Sequence, residues 1–224
     1  MTSWCDRNKP QAMEIWTKVG PYTIVCGNRL GALMNHTDRI LHDGIPGAFL
    51  ECGVWRGGCM MAIAYTLLDL GCTDRELYLF DTYEGMTRPE EIDVDIHGQS
   101  ALAAFAPDQT RQDLCAPFDG VVEAMRSTGY PMDRVHFVQG DVMDTLPAQA
   151  PSPLALVHLD TDWYKSTRHE LECLYPLISP CGVVIVDDYG WYAGSKKAVD
   201  DYFSVDELSR PVVRCDESAI FVKE

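Results

Sequence analysis

Five short apolar runs that end in a carboxylate, interleaved with helix-forming stretches, constrain this chain more than any other feature. Ala48 to Glu51 closes on its own acid; Leu77 to Phe80 is followed by Asp81; Val135 to Val138 leads to Gly140-Asp141; Leu154 to Leu159 to Asp160; and Val183 to Val186 to Asp187-Asp188. Uninterrupted apolar strands alternating with helices predict a parallel sheet covered on both faces. In such sheets ligands bind beyond the carboxyl ends of the strands. A row of acids along that edge is costly unless cations, ligand hydroxyls or backbone N–H groups use it. Helix N-capping by a strand-end Asp accounts for one or two of the five acids and not for the row.

The predicted helices are Met13 to Val19, Gly31 to His42, Cys59 to Leu70 stopped by Gly71, Phe118 to Ser127, a helix capped by Ser166 and running to about Leu177, and Lys196 to Phe203. Pro180-Cys181-Gly182 reads as a turn into the fifth strand. Pro211 to Cys215 and Ala219 to Val222 read as a closing antiparallel hairpin. The domain plan is one unit of 224 residues: a helical N-terminal extension over 1–46 and a core over 47–224. The long segment 87–132, mixed in Pro, Asp and Gln, is expected to be a lid over the substrate.

Four segments carry chemistry. Glu51-Cys52-Gly53-Val54-Trp55-Arg56-Gly57-Gly58 joins a strand to a helix. Its glycines admit a close ligand, and the helix start offers free N–H groups to an anion; a tight turn without ligand explains the pattern as well. The spacing is G-x-x-x-G-G, which is not the dinucleotide fingerprint G-x-G-x-x-G. Asp81, followed by Thr82, stands where an acid reaches ribose hydroxyls. Asp141, followed by Val142, either reaches an adenine amino group or caps a turn. The fourth pair of segments is His158-Leu159-Asp160-Thr161-Asp162-Trp163-Tyr164 and Val186-Asp187-Asp188-Tyr189. If their strands are neighbours, Asp160, Asp187 and Asp188 converge. Clustered carboxylates raise one another's pKa, and a hard divalent cation such as Mg²⁺ relieves that. If extended geometry continues past Asp160, Asp162 points the same way and can act as a general base. His158 reads as a satisfied core histidine.

The formal charge of −16 repels nucleic-acid phosphates and anionic lipid, so neither is an expected partner. No apolar run is long enough to span a bilayer, and the first residues lack a signal-peptide core. Nine cysteines with no C-x-x-C pair predict reduced, mostly buried thiols in a cytoplasmic protein.

Phe49 to Gly58, Phe80 to Gly85, Asp160 to Leu174 and Gly182 to Tyr189 together resemble the TylF/MycF family of macrocin-type O-methyltransferases. The resemblance covers about residues 30 to 205. It implies a Rossmann-like class I methyltransferase fold: a mostly parallel seven-stranded sheet with a C-terminal antiparallel hairpin and N-terminal helices. It also implies S-adenosylmethionine and Mg²⁺ as cofactors, a hydroxylated small-molecule acceptor, commonly a deoxysugar of a natural product, and a dimer or larger homo-oligomer. By the same resemblance Asp160, Asp187 and Asp188 are metal ligands and Asp162 the general base. Glu51, Gly53 and Arg56 line the methionine end of the cofactor, Asp81 holds the ribose and Asp141 sits near the adenine, with Val54, Gly57, Thr82, Val142 and Asp160 as further cofactor-binding residues. Cys52 stands where that family more often has threonine, His158 stands where another residue is expected, and the N-terminus is short for the family. A catechol-type methyltransferase acting on an aromatic diol, a non-catalytic S-adenosylmethionine-binding module, and a nucleotide-sugar oxidoreductase are the competing readings.

Overall fold

The computed structural model describes residues 3–105, 114–205 and 213–224. Seven strands form one sheet: β1 (Ala48–Cys52), β2 (Leu77–Asp81), β3 (Val135–Gln139), β4 (Leu154–Leu159), β5 (Ile178–Val186), β6 (Val213–Cys215) and β7 (Ser218–Val222). Their order is β3-β2-β1-β4-β5-β7-β6. The first five are parallel, and β7 runs antiparallel to both β5 and β6. The mostly parallel sheet with a terminal hairpin is the predicted architecture. Strand order reverses between β1 and β4, which is where a sheet of this type opens a crevice.

Nine helices flank the sheet among the described residues: α1 (Trp4–Arg7), α2 (Lys9–Val19), α3 (Gly27–His42), α4 (Gly58–Asp69), α5 (Ala101–Ala104), α6 (Phe118–Ser127), α7 (Val142–Thr145), α8 (Tyr164–Leu174) and α9 (Ala193–Val205). Alternation along β1 divides the core. Phe49 packs with Leu30, Leu33, Ile63 and Val121 from α3, α4 and α6. Leu50 and Cys52 pack with Leu171, Leu174, Val199 and Phe203 from α8 and α9. Sheets buried on both faces need such two-sided cover.

The helix α4 shows how locally the plan is set. Its run Gly-Cys-Met-Met-Ala-Ile-Ala-Tyr-Thr-Leu-Leu-Asp is apolar almost all round, as a helix wedged between a sheet and further helices must be. It ends where Gly71, at φ 72°, lets the Cys72 N–H reach back to Leu67 O at 2.9 Å.

Some expected boundaries move. The helix expected to start at Ser166 starts at Tyr164, and Ser166 lies inside α8 with its hydroxyl on the carbonyls of Thr161 and Trp163, both at 3.2 Å. The missing cap comes from elsewhere: buried Asp93, in the insertion after β2, accepts the Tyr164 N–H at 2.9 Å. The turn expected at Pro180-Cys181-Gly182 is instead a bulge inside β5, with Cys181 at φ 64° and a register shift against β4. The first hairpin strand is seen over Val213–Cys215; residues 211–212 and the part of the expected lid at 106–113 lie outside the described residues. No helix among the described residues is long and apolar enough to cross a membrane.

Candidate active site

Backbone hydrogen bonds lace the carboxyl ends of the parallel strands beyond the strands themselves. Gly53 N donates to Phe80 O, Asp160 N to Cys52 O, Asp187 N to Leu159 O and Gly140 N to Asp81 O, each at 2.9 Å. Gly53, just past β1, lies against the backbone of Asp160, just past β4. A Cβ there, at φ 81°, would lie 2.0 Å from Asp160 O, so only glycine lets the two loops touch.

These loops border a cleft at the carboxyl ends of the strands. Among the expected site residues, Gly53, Asp81, Thr82, Asp141, Val142, Asp160 and Asp162 line it. Asp81 also organises the glycine loop: one carboxylate oxygen accepts from Val54 N at 2.6 Å and Trp55 N at 3.0 Å, the other from Tyr83 N at 2.7 Å. Asp141 caps α7 through Met143 N at 2.9 Å, the turn-capping alternative, and also lines the cleft. The other expected cofactor residues take different places. Val54 is buried, contributing its N–H to Asp81. Gly57, at φ 90°, starts α4. Arg56 is exposed; its guanidinium lies 4.6 Å from the centre of the Trp55 ring and reaches Pro21 O. Glu51 lies beneath the cleft, 1% exposed, with its carboxylate 2.8 Å from His158 Nδ1.

Asp160, Asp162 and Asp188 converge. One oxygen from each lies within 4.8 Å of the others. Asp162 does not arrive there by extended geometry: its φ is 67°, in the left-handed region, and the chain folds the carboxylate back toward its neighbours. Burial, then repulsion from Asp187 and Asp188 respectively, pushes the Asp160 and Asp162 carboxyls well above the usual range. Asp188 is pushed up to about 6, also mainly by burial. Its Oδ2 is buried and no donor among the described residues reaches it.

Asp187 is placed differently. It is 3% exposed; one oxygen pairs with Arg29, and the other accepts from Ser218 Oγ at 2.9 Å and lies 3.5 Å from His158 Nε2. Burial opposes its charge, yet His158, Arg29 and Ser218 hold its carboxyl below the ordinary value. His158 is satisfied between Glu51 and Asp187. Burial works against its charge, but the two carboxylates raise its pKa well above the ordinary value. The structure therefore brings Asp162, rather than Asp187, into the open group with Asp160 and Asp188.

The sequence model of the macrocin O-methyltransferase (TylF) family matches residues 3–224. The chain belongs to that family. It is an S-adenosylmethionine-dependent O-methyltransferase, with the Rossmann-like fold of that class. An 8-demethyl-8-(2,3-dimethoxy-alpha-L-rhamnosyl)-tetracenomycin-C 4'-O-methyltransferase from Streptomyces olivaceus is 34% identical over 206 residues, spanning 92% of this chain and 76% of that protein. A mycinamicin III 3''-O-methyltransferase from Micromonospora griseorubida is 30% identical over 200 residues, 89% of this chain and 77% of its own. The solved structure of the O-methyltransferase NovP superposes with a TM-score of 0.79 at 25% identity, covering 90% of this chain and 82% of that one.

In this methyltransferase three site features lie outside the sequence reading. Arg29 neutralises Asp187 from α3, 158 residues away. Glu170, fully buried on α8, accepts from Thr161 Oγ at 2.9 Å. Thr23, Ile24 and Val25, after α2, form part of the cleft wall. Only Glu170 carries a local signal, being an acid on the apolar side of a helix.

Proposed function

We propose that this methyltransferase uses a divalent cation, Mg²⁺ by preference, to methylate a hydroxyl of a glycosylated natural product, with a deoxysugar as acceptor. The observation that supports it most is the converging group of Asp160, Asp162 and Asp188 in a cleft whose other wall is the glycine loop with Asp81 and Asp141. The named activities of the two relatives, O-methylation of a rhamnosyl-tetracenomycin and of mycinamicin III, support the acceptor class.

An all-oxygen donor set suits a hard cation, and the undonated Asp188 Oδ2 and the mutual repulsion of the group are what such a cation removes. Asp160 and Asp188 would hold it, and Asp187 would join them only if its pair with Arg29 opens. Bound there, the cation would supply positive charge that lowers the pKa of an acceptor hydroxyl. Gly53 and Asp160 border the methionine end of the cofactor, Asp81 and Thr82 the ribose, Asp141 and Val142 the adenine. Asp162 takes the acceptor proton as the oxygen attacks the methyl carbon. The sulfur–methyl bond breaks, and S-adenosylhomocysteine leaves. The sulfonium carbon needs no activation, so alignment is the protein's main task, and fixing two reactants in register is worth roughly 7–11 kcal/mol. The segment 87–132 borders the cleft through Thr87 and Leu114 and is the proposed acceptor cover. Trp163 Nε1 donates to Thr87 O at 2.9 Å and fastens its base.

Product analysis after incubation with S-adenosylmethionine and Mg²⁺ tests this reading. A rhamnosyl glycoside should gain one methyl group on a sugar oxygen, while catechol should not; methylated catechol with untouched glycoside would overturn the acceptor assignment.

A further inference from the structure

Thr161 stands between Asp160 and Asp162 and is held from three directions. Its carbonyl accepts from Trp163 N at 2.8 Å and from Ser166 Oγ at 3.2 Å, and its hydroxyl donates to Glu170 Oε1 at 2.9 Å. The next residue, Asp162, adopts φ 67°. A left-handed non-glycine residue is strained and persists only where its surroundings over-determine it. Asp tolerates this conformation better than most residues but does not choose it unaided.

Glu170 is an unusual support. It is 0% exposed on the core face of α8, where an apolar side chain would ordinarily sit. Burial pushes its carboxyl up to about 8, so it is mostly uncharged at neutral pH, and the Cys52 thiol lies against it. Glu170 is absent from the cleft wall, which Thr161 and Asp162 line. Packing alone does not call for an acid there, because a buried polar group is a cost unless it is hydrogen-bonded. Its one side-chain oxygen partner is the residue that precedes the strained turn.

We propose that Glu170 is a positioning residue: through the Thr161 hydroxyl it fixes the left-handed turn that sets Asp162 against Asp160 and Asp188. The inference rests on the reading of Asp162 as the acceptor's base and of its neighbours as a cation site.

The test compares Glu170→Gln, Glu170→Met, Thr161→Val and the double variant Glu170→Met/Thr161→Val. Gln keeps an oxygen that accepts from Thr161; Met fills the space without one. Glu170→Met and Thr161→Val should each lower kcat about 10- to 100-fold, the scale of a small misplacement of a reacting group. S-adenosylhomocysteine affinity should stay within about twofold, since neither substitution alters Gly53, Asp81, Thr82, Asp141 or Val142 and Glu170 lies outside the cleft wall. Mn²⁺ affinity, titrated without cofactor or acceptor, should fall in both. The double variant should be no slower than the worse single one, because both break the same contact. Glu170→Gln should stay near wild type. Glu170→Met with unchanged kcat and Mn²⁺ affinity would overturn the proposal, as would additive losses, a Gln variant as poor as Met, or a kcat loss matched by equal loss of cofactor affinity. If Glu170→Met fails to fold, Thr161→Val, at a cleft-lining residue, carries the same comparison. Wild-type protein that binds no Mn²⁺ would overturn the cation-site reading and the proposal with it; wild-type binding with unaffected variants would overturn the proposal alone.

Discussion

The two halves of the sheet edge treat their acids in opposite ways. At the ends of β1, β2 and β3, Glu51 is paired with His158, Asp81 accepts three backbone N–H groups, and Asp141 caps a helix. Each has at least one partner within the protein, though Glu51 Oε2 accepts no hydrogen bond among the described residues. At the ends of β4 and β5, Asp187 has Arg29, but Asp160, Asp162 and Asp188 face one another. Like charges gathered in a half-buried site raise the free energy of the fold unless a proton or cation joins them. The first half is finished by folding; the second is finished by what binds. An acid row in a sequence therefore mixes two kinds of residue, and only the partners tell them apart.

The largest effect should follow from Asp162→Asn, which removes a base without changing shape. Turnover should fall about 10²- to 10⁴-fold, the usual contribution of a positioned base. Melting temperature in the absence of metal should hold or rise, because one repelling charge is gone. A stable variant with full turnover would break the contrast at its centre.

Arg29→Met probes the neutralised acid. It leaves Asp187 buried with one of its two counter-charges removed and only His158 beside it, a loss of about 3–5 kcal/mol for breaking a buried pair. Chemical denaturation measures it. Recovery of that loss by added Mg²⁺ would show that Asp187 becomes a ligand once released, and no recovery would leave it as a support only.

The pH dependence of metal-free stability sharpens the same division. Asp188 titrates at about 6 and Glu170 at about 8 in the folded chain, both above their unfolded values. The folded state therefore holds those protons more tightly. The stability they confer is present below the unfolded value, near 4, and is lost as pH rises through about 6 and then about 8. Asp187, held low, acts in the other direction: its contribution is present above the unfolded value and is lost as pH falls through its lower folded value. Melting curves across pH 5–9 should decline, and Mg²⁺ should flatten the step near 6 and leave the step near 8. A flat metal-free curve would contradict the burial of these acids.

The smallest effect belongs to the finished half. Asp141→Ala should cost about 1 kcal/mol through the lost cap on α7 and leave cation binding untouched.

Much of this was legible in the sequence. Strand ends, the glycine loop and the hairpin follow from apolar runs and turn residues, which are local. The pairing of Asp187 with Arg29 is not local, and nothing in Val186-Asp187-Asp188 distinguishes the two aspartates. Ser166 looked like a cap because it is a good capping residue near the start of a helical run, but Asp93, 71 positions from Tyr164, does the capping. The left-handed turn at Asp162 is not legible, because residue type alone does not reveal a φ that tertiary contacts enforce.

The most direct test of the account is calorimetric titration of S-adenosylhomocysteine and, separately, Mg²⁺ into the wild type and Asp188→Asn. The account predicts nucleoside binding within about twofold in the variant and Mg²⁺ affinity at least about tenfold weaker, since one of the converging oxygens is lost. Unchanged Mg²⁺ affinity, or loss of both ligands together, would contradict a cation site built from the converging acids in which Asp188 serves the cation and not the cofactor.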